Sequence, residues 1–252
     1  MKCFLNLIND SSSSAEQVCP IHGQTIWLIA GHLICKECAK TLVSAAQQLH
    51  EDEIRQNLID VKIKKSGLLK RYVESGFKNY QCLSFGQENA VKNCQNFAQQ
   101  IIAGQYPNLI LYGHPGTGKT HLSASIIRNI ILNSPLTARY YTSAQIAQLM
   151  MDTWSDPTKS EAEIIQHLAG FDLLVIDEYG LHDRHEKRLE MVHKILYSRY
   201  DSMKSTLLIS NFDIRMLEKD LGVRLWSRLH ENSLFLIPCY WEDWRKTCDI
   251  RY

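Results

Sequence analysis

The residues with the sharpest chemical pattern run from Gly113 to His121: Gly113-His114-Pro115-Gly116-Thr117-Gly118-Lys119-Thr120-His121. They fill every fixed position of G-x-x-x-x-G-K-[ST] and extend it by one residue, and the whole stretch is expected to bind ATP. Gly113, Gly116 and Gly118 let the backbone close around phosphate. The N–H groups of the loop, and of a helix starting behind it, then point at the anion. Lys119 is placed to reach the outer phosphates, and Thr120 to offer its hydroxyl to Mg2+. Downstream, Asp172-Leu-Leu-Val-Ile-Asp177-Glu178 leads an apolar run into paired carboxylates. Asp177 suits the Mg2+ shell and Glu178 the general base that polarises an attacking water. The adjacent glutamate favours a hydrolytic NTPase over a small-molecule kinase, whose acceptor hydroxyl comes from its substrate. Asn211 ends Ser205-Thr-Leu-Leu-Ile-Ser and would lie near the γ-phosphate if that strand sits between the two phosphate-site strands. Arg224 and Arg228 fall on one face of a helix. Either suits an arginine finger entering a neighbour's site; by spacing alone such a pair more often describes solvated surface arginines.

A second constellation precedes these. Cys19, His22, Cys35 and Cys38 are spaced C-x2-H-x12-C-x2-C. Two knuckles of paired soft ligands around a short hairpin suit tetrahedral Zn2+. His32 is the alternative fourth ligand, but its place inside the hairpin favours His22. Thr25 to His32 reads as two strands turning at Ala30-Gly31, with Trp27 either a stacking platform for a base or part of the module's own small core. A unit with so little apolar content scarcely folds without metal. Cys82, Cys94, Cys239 and Cys248 are scattered and read as packing residues or free thiols.

The elements that must position these residues alternate in type. Strands are predicted at Leu109–Tyr112, Ala138–Thr142, Leu173–Ile176, Thr206–Ser210 and Leu234–Ile237, each short and rich in Ile, Leu, Val or Tyr. Helices are predicted over about 84–103, 119–133, 143–153, 160–168, 186–202 and 213–229, with Ser143 and Asp213 as caps. Buried strands alternating with helices imply a parallel sheet covered on both faces. Residues 41–66 read as one long polar helix with a rough apolar stripe that includes Leu42, Leu49, Ile54, Leu58 and Val61. The predicted organisation is a flexible Ser-rich segment over 1–17, a zinc module over 18–41, a helical linker or partner-binding helix over 42–76 and an ATPase domain over 77–252.

Composition narrows the class. The 252 residues are 45% hydrophobic and 22% charged, which supports a packed core and excludes a disordered tail protein. A net charge of +1 does not mark a polybasic membrane or nucleic-acid binder, although a local basic patch fits within it. No stretch approaches the ~20 apolar residues of a membrane span, and the start lacks the apolar core of a signal peptide. A cytoplasmic location without membrane attachment is expected, which would keep the cysteines as thiolates.

In order, GHPGTGKTH, DLLVIDEYG, LLISNF, GVRLWSRL and YWEDWRKT resemble the DnaC-type replicative helicase loaders of bacteria and their prophages, within the AAA+ ATPases, over about residues 68–252. The resemblance implies an α/β P-loop NTPase with a minimal lid that binds ATP, Mg2+ and the replicative helicase ring. Such a protein opens the ring and places it on single-stranded DNA beside neighbouring copies of itself. Carried over, Asn211 matches the sensor-1 position, Arg228 the arginine finger with Arg224 as the alternative, and Arg245 the sensor-2 arginine. The 13 residues after Cys239 are too few for the full helical lid that usually carries such an arginine. The Ser-Gly-Phe77 stretch matches the segment that lies against adenine. The zinc module departs from the family pattern, so the module, the 41–66 helix or both together would grip the helicase. Two other readings stand beside this one: an IstB-type transposition helper ATPase acting on duplex DNA, and a zinc-bearing nucleic-acid adaptor in which ATP is a structural switch.

Overall fold

In the computed structural model, the structure describes residues 18–29, 32–155, 158, 160–181 and 186–245. The chain divides between Leu58 and Ile59 into two compact units. The first holds a hairpin of β1 (Trp27–Ile29) and β2 (His32–Ile34), paired antiparallel, followed by the start of α1 (Lys36–Lys65). Helix α1 starts at Lys36, ahead of the expected 41, so the second cysteine knuckle runs directly into it. The expected stripe of α1 is exposed, including Leu42, Leu49 and Leu58; near the end of this helix Ile63 enters a core and Ile59 packs against it. The hairpin turn expected at Ala30-Gly31 and the Ser-rich 1–17 segment lie outside the described residues.

The second unit carries α2 (Phe85–Ile102), β3 (Asn108–Gly113), α3 (Lys119–Asn133), β4 (Ala138–Thr142), α4 (Ser143–Ser155), α5 (Glu161–Gly170) and β5 (Leu173–Tyr179). It continues through α6 (Glu186–Asp201), β6 (Ser205–Ser210), α7 (Ile214–Glu231) and β7 (Leu234–Cys239). The five strands stand in the order β4-β5-β6-β3-β7, and every neighbouring pair is parallel. Parallel strands need crossovers, and the helices supplying them bury both faces of the sheet. That is why β6 is buried at every position and β5 reads as an apolar run rather than an alternation. Alternate residues serve opposite layers. Leu109 and Leu111 pack with Phe97 of α2 and Ile127 of α3, while Ile110 packs with Val192 of α6 and Leu225 of α7.

The helix starts follow side-chain capping. Ser84 accepts from Gln87 N at the head of α2, and Asp213 accepts from Met216 N at the head of α7. The cap expected at Ser143 belongs instead to Thr142. Its hydroxyl accepts from Gln145 N at 3.2 Å while Gln145 Oε1 accepts from Thr142 N at 2.9 Å, a reciprocal box. Ser143 is already the first residue of α4, and its hydroxyl donates to Glu178 O at 3.1 Å. Strand β5 runs past Ile176 through the carboxylates to Tyr179, with a register shift against β6 between Ile176 and Tyr179. Helix α7 is interrupted at Gly222, whose φ of 71° and ψ of 157° are not helical.

At the opposite end of the sheet from the phosphate loop, Arg199 is fully buried. Its Nε donates to Thr206 Oγ1 at 3.0 Å and its Nη1 to Leu168 O at 2.8 Å and Phe171 O at 2.9 Å, while Nη2 reaches Ser205 O. One guanidinium thus satisfies the carbonyl end of α5 and the first residues of β6. Arg199→Met should leave these carbonyls buried without partners, at a cost of about 3 kcal/mol or more. A lowering of the thermal midpoint by about 6–12 °C is expected, and a melt that changes by less than about 2 °C would remove this role.

Candidate functional site

The phosphate loop joins the end of β3 to the start of α3, at the carboxyl edge of the sheet. Ligands of open parallel sheets bind at this edge. Gly113, Gly116 and Gly118 all have positive φ, at 121°, 75° and 85°. Each is also packed from outside. A Cβ on Gly113 would lie 2.5 Å from Cys239 O, one on Gly116 1.7 Å from the Asp243 carboxylate, and one on Gly118 2.8 Å from the Tyr80 ring. Glycine is therefore required at all three by conformation, and at Gly113, set against the Cys239 backbone, by space as well. His114 N donates to Cys239 O at 3.0 Å, which ties the start of the loop to β7. Its ring sits edge-on against Tyr240.

Lys119 is buried, and its Nζ donates to Gly113 O at 2.8 Å and His114 O at 2.6 Å. Burial lowers its pKa, opposed by the nearby Asp177 carboxylate. Burial also pushes the Cys239 thiol up to about 12. Thr120 Oγ1 donates to Asp177 Oδ2 at 2.9 Å, and Asp177 Oδ1 accepts from Glu178 N at 2.7 Å. Asp177 is buried, whereas Glu178 is exposed with φ of 59°. This left-handed conformation is held by the hydrogen bonds at its N–H and by Ser143 and Leu181 N at its carbonyl. Thr120, Asp177 and Glu178 thus meet at one edge, a donor set of hydroxyl and carboxylate oxygens that suits Mg2+.

A cavity of about 570 Å3 opens here. Pro115 to His121, Asp177, Glu178, Asn211 and Arg245 line it, bringing together the two phosphate-site segments and the two residues expected near the phosphates. Gly113 and His114 lie outside this lining and shape the base of the loop. Strand β6 stands between β5 and β3, which is what places Asn211 at the cavity. Arg224 and Arg228 do not line it. Arg224 is exposed, and the Arg228 guanidinium lies 5.0 Å and 4.8 Å from the ring centres of Tyr197 and Tyr200, with 40% of its side chain exposed.

His121 Nε2 lies 3.2 Å from Gly76 O and 3.1 Å from Asn79 Oδ1. Both partners are acceptors, so this nitrogen carries the ring proton. Burial lowers the His121 pKa and favours the neutral ring. His121 thereby straps the 76–80 segment to α3. Within that segment Phe77 packs toward the core, while Tyr80 lines the cavity and donates to Thr117 O at 3.0 Å. Trp241 Nε1 donates to the same carbonyl at 2.8 Å, and Trp244 N donates to Gly116 O at 3.0 Å. These loop carbonyls are therefore occupied from outside, leaving the loop's N–H groups for an anion. Sequence reasoning missed Tyr80, Trp241 and Tyr140. Tyr140 donates to Asp177 Oδ2 at 2.7 Å. Burial first, then the Asp177 charge, raise its phenol pKa, so it remains a donor. The alternation of Ala138, Tyr140 and Thr142 along β4 marks the inward face that Tyr140 occupies but not its partner.

In the first unit, Cys19, His22, Cys35 and Cys38 form the metal-ligating cluster among the described residues, with all four ligand atoms within 4.8 Å of one another. Cys19 Sγ is 3.8 Å from both Cys38 Sγ and His22 Nδ1, and Nδ1 is 3.5 Å and 3.3 Å from the sulfurs of Cys35 and Cys38. A tetrahedral zinc with Zn–S near ~2.3 Å and Zn–N near ~2.1 Å calls for edges of roughly 3.5–3.8 Å. The first knuckle is closed by Cys19 N donating to Gln24 O and Gly23 N to Cys19 O, each at 2.8 Å. In the second, Cys38 N donates to Cys35 Sγ at 3.4 Å in the first turn of α1. Backbone N–H groups of His22 and Ile21 hold the Cys19 thiol down to about 6. The hydrogen bond with Cys35 and desolvation push Cys38 up to about 12. Crowding three sulfurs around one point costs energy that a divalent cation relieves. His32 is not in the cluster, and Trp27 is 49% exposed.

The family model described as IstB-like ATP binding protein matches residues 69–223. Across 238 residues the chain is 26% identical to the replicative helicase loader DnaC of Escherichia coli (strain K12), covering 94% of this chain and 96% of that protein. It is also 29% identical to the uncharacterized protein YdaV of the same strain, over 81% of this chain and 82% of that one. The crystal structure of the DnaC helicase loader shares the fold, with a TM-score of 0.58 at 20% identity over 67% of this chain and 99% of that one. Among the described residues no helix is long and apolar enough to cross a membrane.

Proposed function

Because the chain belongs to the IstB-like ATP binding protein family, we propose that it is an ATP-hydrolysing loader that places a replicative DNA helicase on single-stranded DNA. One observation carries this reading over the others. The family match stops at residue 223 and starts at 69, whereas the similarity to the helicase loader takes in 94% of the chain and so extends into the amino-terminal unit. A partner-specific likeness is expected in the part of the chain that meets the partner.

The chemistry follows from the residues in place. Lys119 and the N–H groups of Gly116 to Thr120 bind the phosphates. Bound Mg2+ would neutralise phosphate charge, held by Thr120 and Asp177. Glu178 takes the proton of the attacking water, and Asn211 orients that water. Arg245 meets the phosphates from the cavity's carboxyl-terminal wall. Arg228 stands outside its own cavity and completes the site of a neighbouring copy gathered on the helicase. ATP then orders the loaders into a spiral that opens the ring. Hydrolysis through Glu178 releases them. Cys19, His22, Cys35 and Cys38 would hold Zn2+, which would tie the amino-terminal module together.

The direct test is co-purification of the full chain with a replicative helicase, with and without ATP. Capture of the helicase is expected; capture of duplex DNA alone favours a transposition helper, and absence of ATP turnover favours the adaptor. The shared site has its own test. Arg228→Ala should spare ATP binding by the isolated chain and abolish the hydrolysis stimulated by helicase and DNA. Mixing it with Lys119→Ala on the helicase should restore partial activity, since a mixed junction pairs an intact Lys119 site with an intact Arg228. No recovery, with wild type active alongside, would transfer the role to Arg224 or to an arginine acting in its own site.

A further inference from the structure

Tyr140 lines the nucleotide site, and the reaction assigns it no task. It lies on β4, paired with Val175 of β5, and its side chain shares the face that carries Val175 and Asp177. The side chain is buried at 5% exposure and its hydroxyl donates to Asp177 Oδ2 at 2.7 Å. That oxygen also accepts from Thr120 Oγ1 at 2.9 Å, and its twin Oδ1 accepts from Glu178 N at 2.7 Å. Three donors thus fix both carboxylate oxygens. The backbone of Tyr140 is fixed in turn. Its N–H donates to Ser66 O at 2.7 Å, and Gly67 packs so closely that a Cβ there would lie 2.7 Å from Tyr140 O.

We propose that Tyr140 is a positioning residue for the magnesium edge of the ATP site, holding Asp177 so that Thr120 gives its proton to the carboxylate and keeps its oxygen lone pairs for the metal. The proposal rests on the ATP-site reading. Its physical basis is the count of lone pairs. A carboxylate oxygen accepts two in-plane hydrogen bonds, so a phenol on one side of Oδ2 leaves the other side to Thr120. Without the phenol, Oδ2 keeps Thr120 as its one donor and Oδ1 keeps Glu178 N, so the carboxylate is held less tightly about χ2 and the Thr120 hydroxyl shifts with it. Groups that orient metal ligands in this way typically change metal affinity by about 10–100-fold when removed.

The test is Tyr140→Phe in the full chain, which keeps the ring in its packing and removes the donor. Mg2+ is titrated against binding of a fluorescent ATP analogue, and the analogue's affinity is measured in parallel without added Mg2+. The Mg2+ midpoint should rise about tenfold, while affinity without Mg2+ stays within about twofold of wild type. In an Asp177→Asn background the same substitution should add less than about twofold, because its effect passes through the carboxylate. An unchanged Mg2+ midpoint, or an equal loss in both backgrounds, would overturn the proposal. Loss of binding without Mg2+ would overturn it as well and assign Tyr140 to general packing. A wild-type chain that binds no analogue would overturn the ATP reading itself.

Discussion

Glu178→Gln is expected to bind ATP as tightly as the wild-type chain and to hydrolyse it at least about a hundredfold more slowly, the usual contribution of a positioned general base. The amide keeps the size of the side chain and its hydrogen bonds through the backbone, so the left-handed turn at φ 59° survives. What it loses is the ability to accept a proton from water. Lys119→Ala should act one step earlier. The buried ammonium is held by Gly113 O and His114 O and, on the proposed reading, would supply the fixed positive charge for the outer phosphates. Its removal should weaken nucleotide binding by about 2–5 kcal/mol, or roughly 30-fold and beyond. Equilibrium binding and single-turnover hydrolysis on the two variants separate the roles. Normal turnover by Glu178→Gln would remove the base assignment, and normal binding by Lys119→Ala would remove the phosphate assignment.

The second large effect is on metal. Purified protein should carry about one Zn2+ per chain, and Cys35→Ser should carry close to none. The free energy of a structural zinc site in a small unit is about 10–16 kcal/mol at neutral pH, which is also the free energy of folding that unit. The hairpin has few means to replace it: Trp27, Leu28 and Leu33 are each about half exposed or more. Residues 18–41 should therefore become protease-sensitive in Cys35→Ser. ATP binding should persist, since the second unit closes its own core around Phe97, Ile127 and Leu207. Elemental analysis of chain prepared without chelator checks the first statement, limited proteolysis and nucleotide titration the second. Zinc retained in full by Cys35→Ser would sink the ligand set.

Chemistry that depends on short spacing was legible in the sequence. Gly113 to Thr120 had to form a phosphate loop, because three glycines, a lysine and a threonine at those intervals serve few other purposes between an apolar strand and a helix. Cys19, His22, Cys35 and Cys38 likewise announced one cluster, since paired ligands two residues apart converge wherever a tight knuckle forms. The alternation of strands and helices determined a parallel sheet with covered faces, and β4 and α3 have the bounds their periodicity predicts. Strand order lay beyond local pattern. Only the fold inserts β6 between β5 and β3 and so delivers Asn211 to the cavity.

The partners of the site residues were also decided in three dimensions. Tyr140 is 37 residues from Asp177 in sequence, and Trp241 is 124 from Thr117. Nothing in a tyrosine of one strand or a tryptophan beyond another specifies such a contact, because sheet register and the return of the chain over the loop set it. The cap at Thr142 rather than Ser143 shows the same division on a smaller scale. Both hydroxyls suit a helix start by propensity. Pairing of Thr142 with Gln145 and the nearness of the Glu178 carbonyl assign the cap to one and a tertiary hydrogen bond to the other. Residue type and local spacing thus pointed to the phosphate loop and the Cys/His cluster, since loops and ligand sets are closed over a few bonds. Tertiary structure determined which groups hold them in place, since those contacts join segments that only the packed sheet brings together.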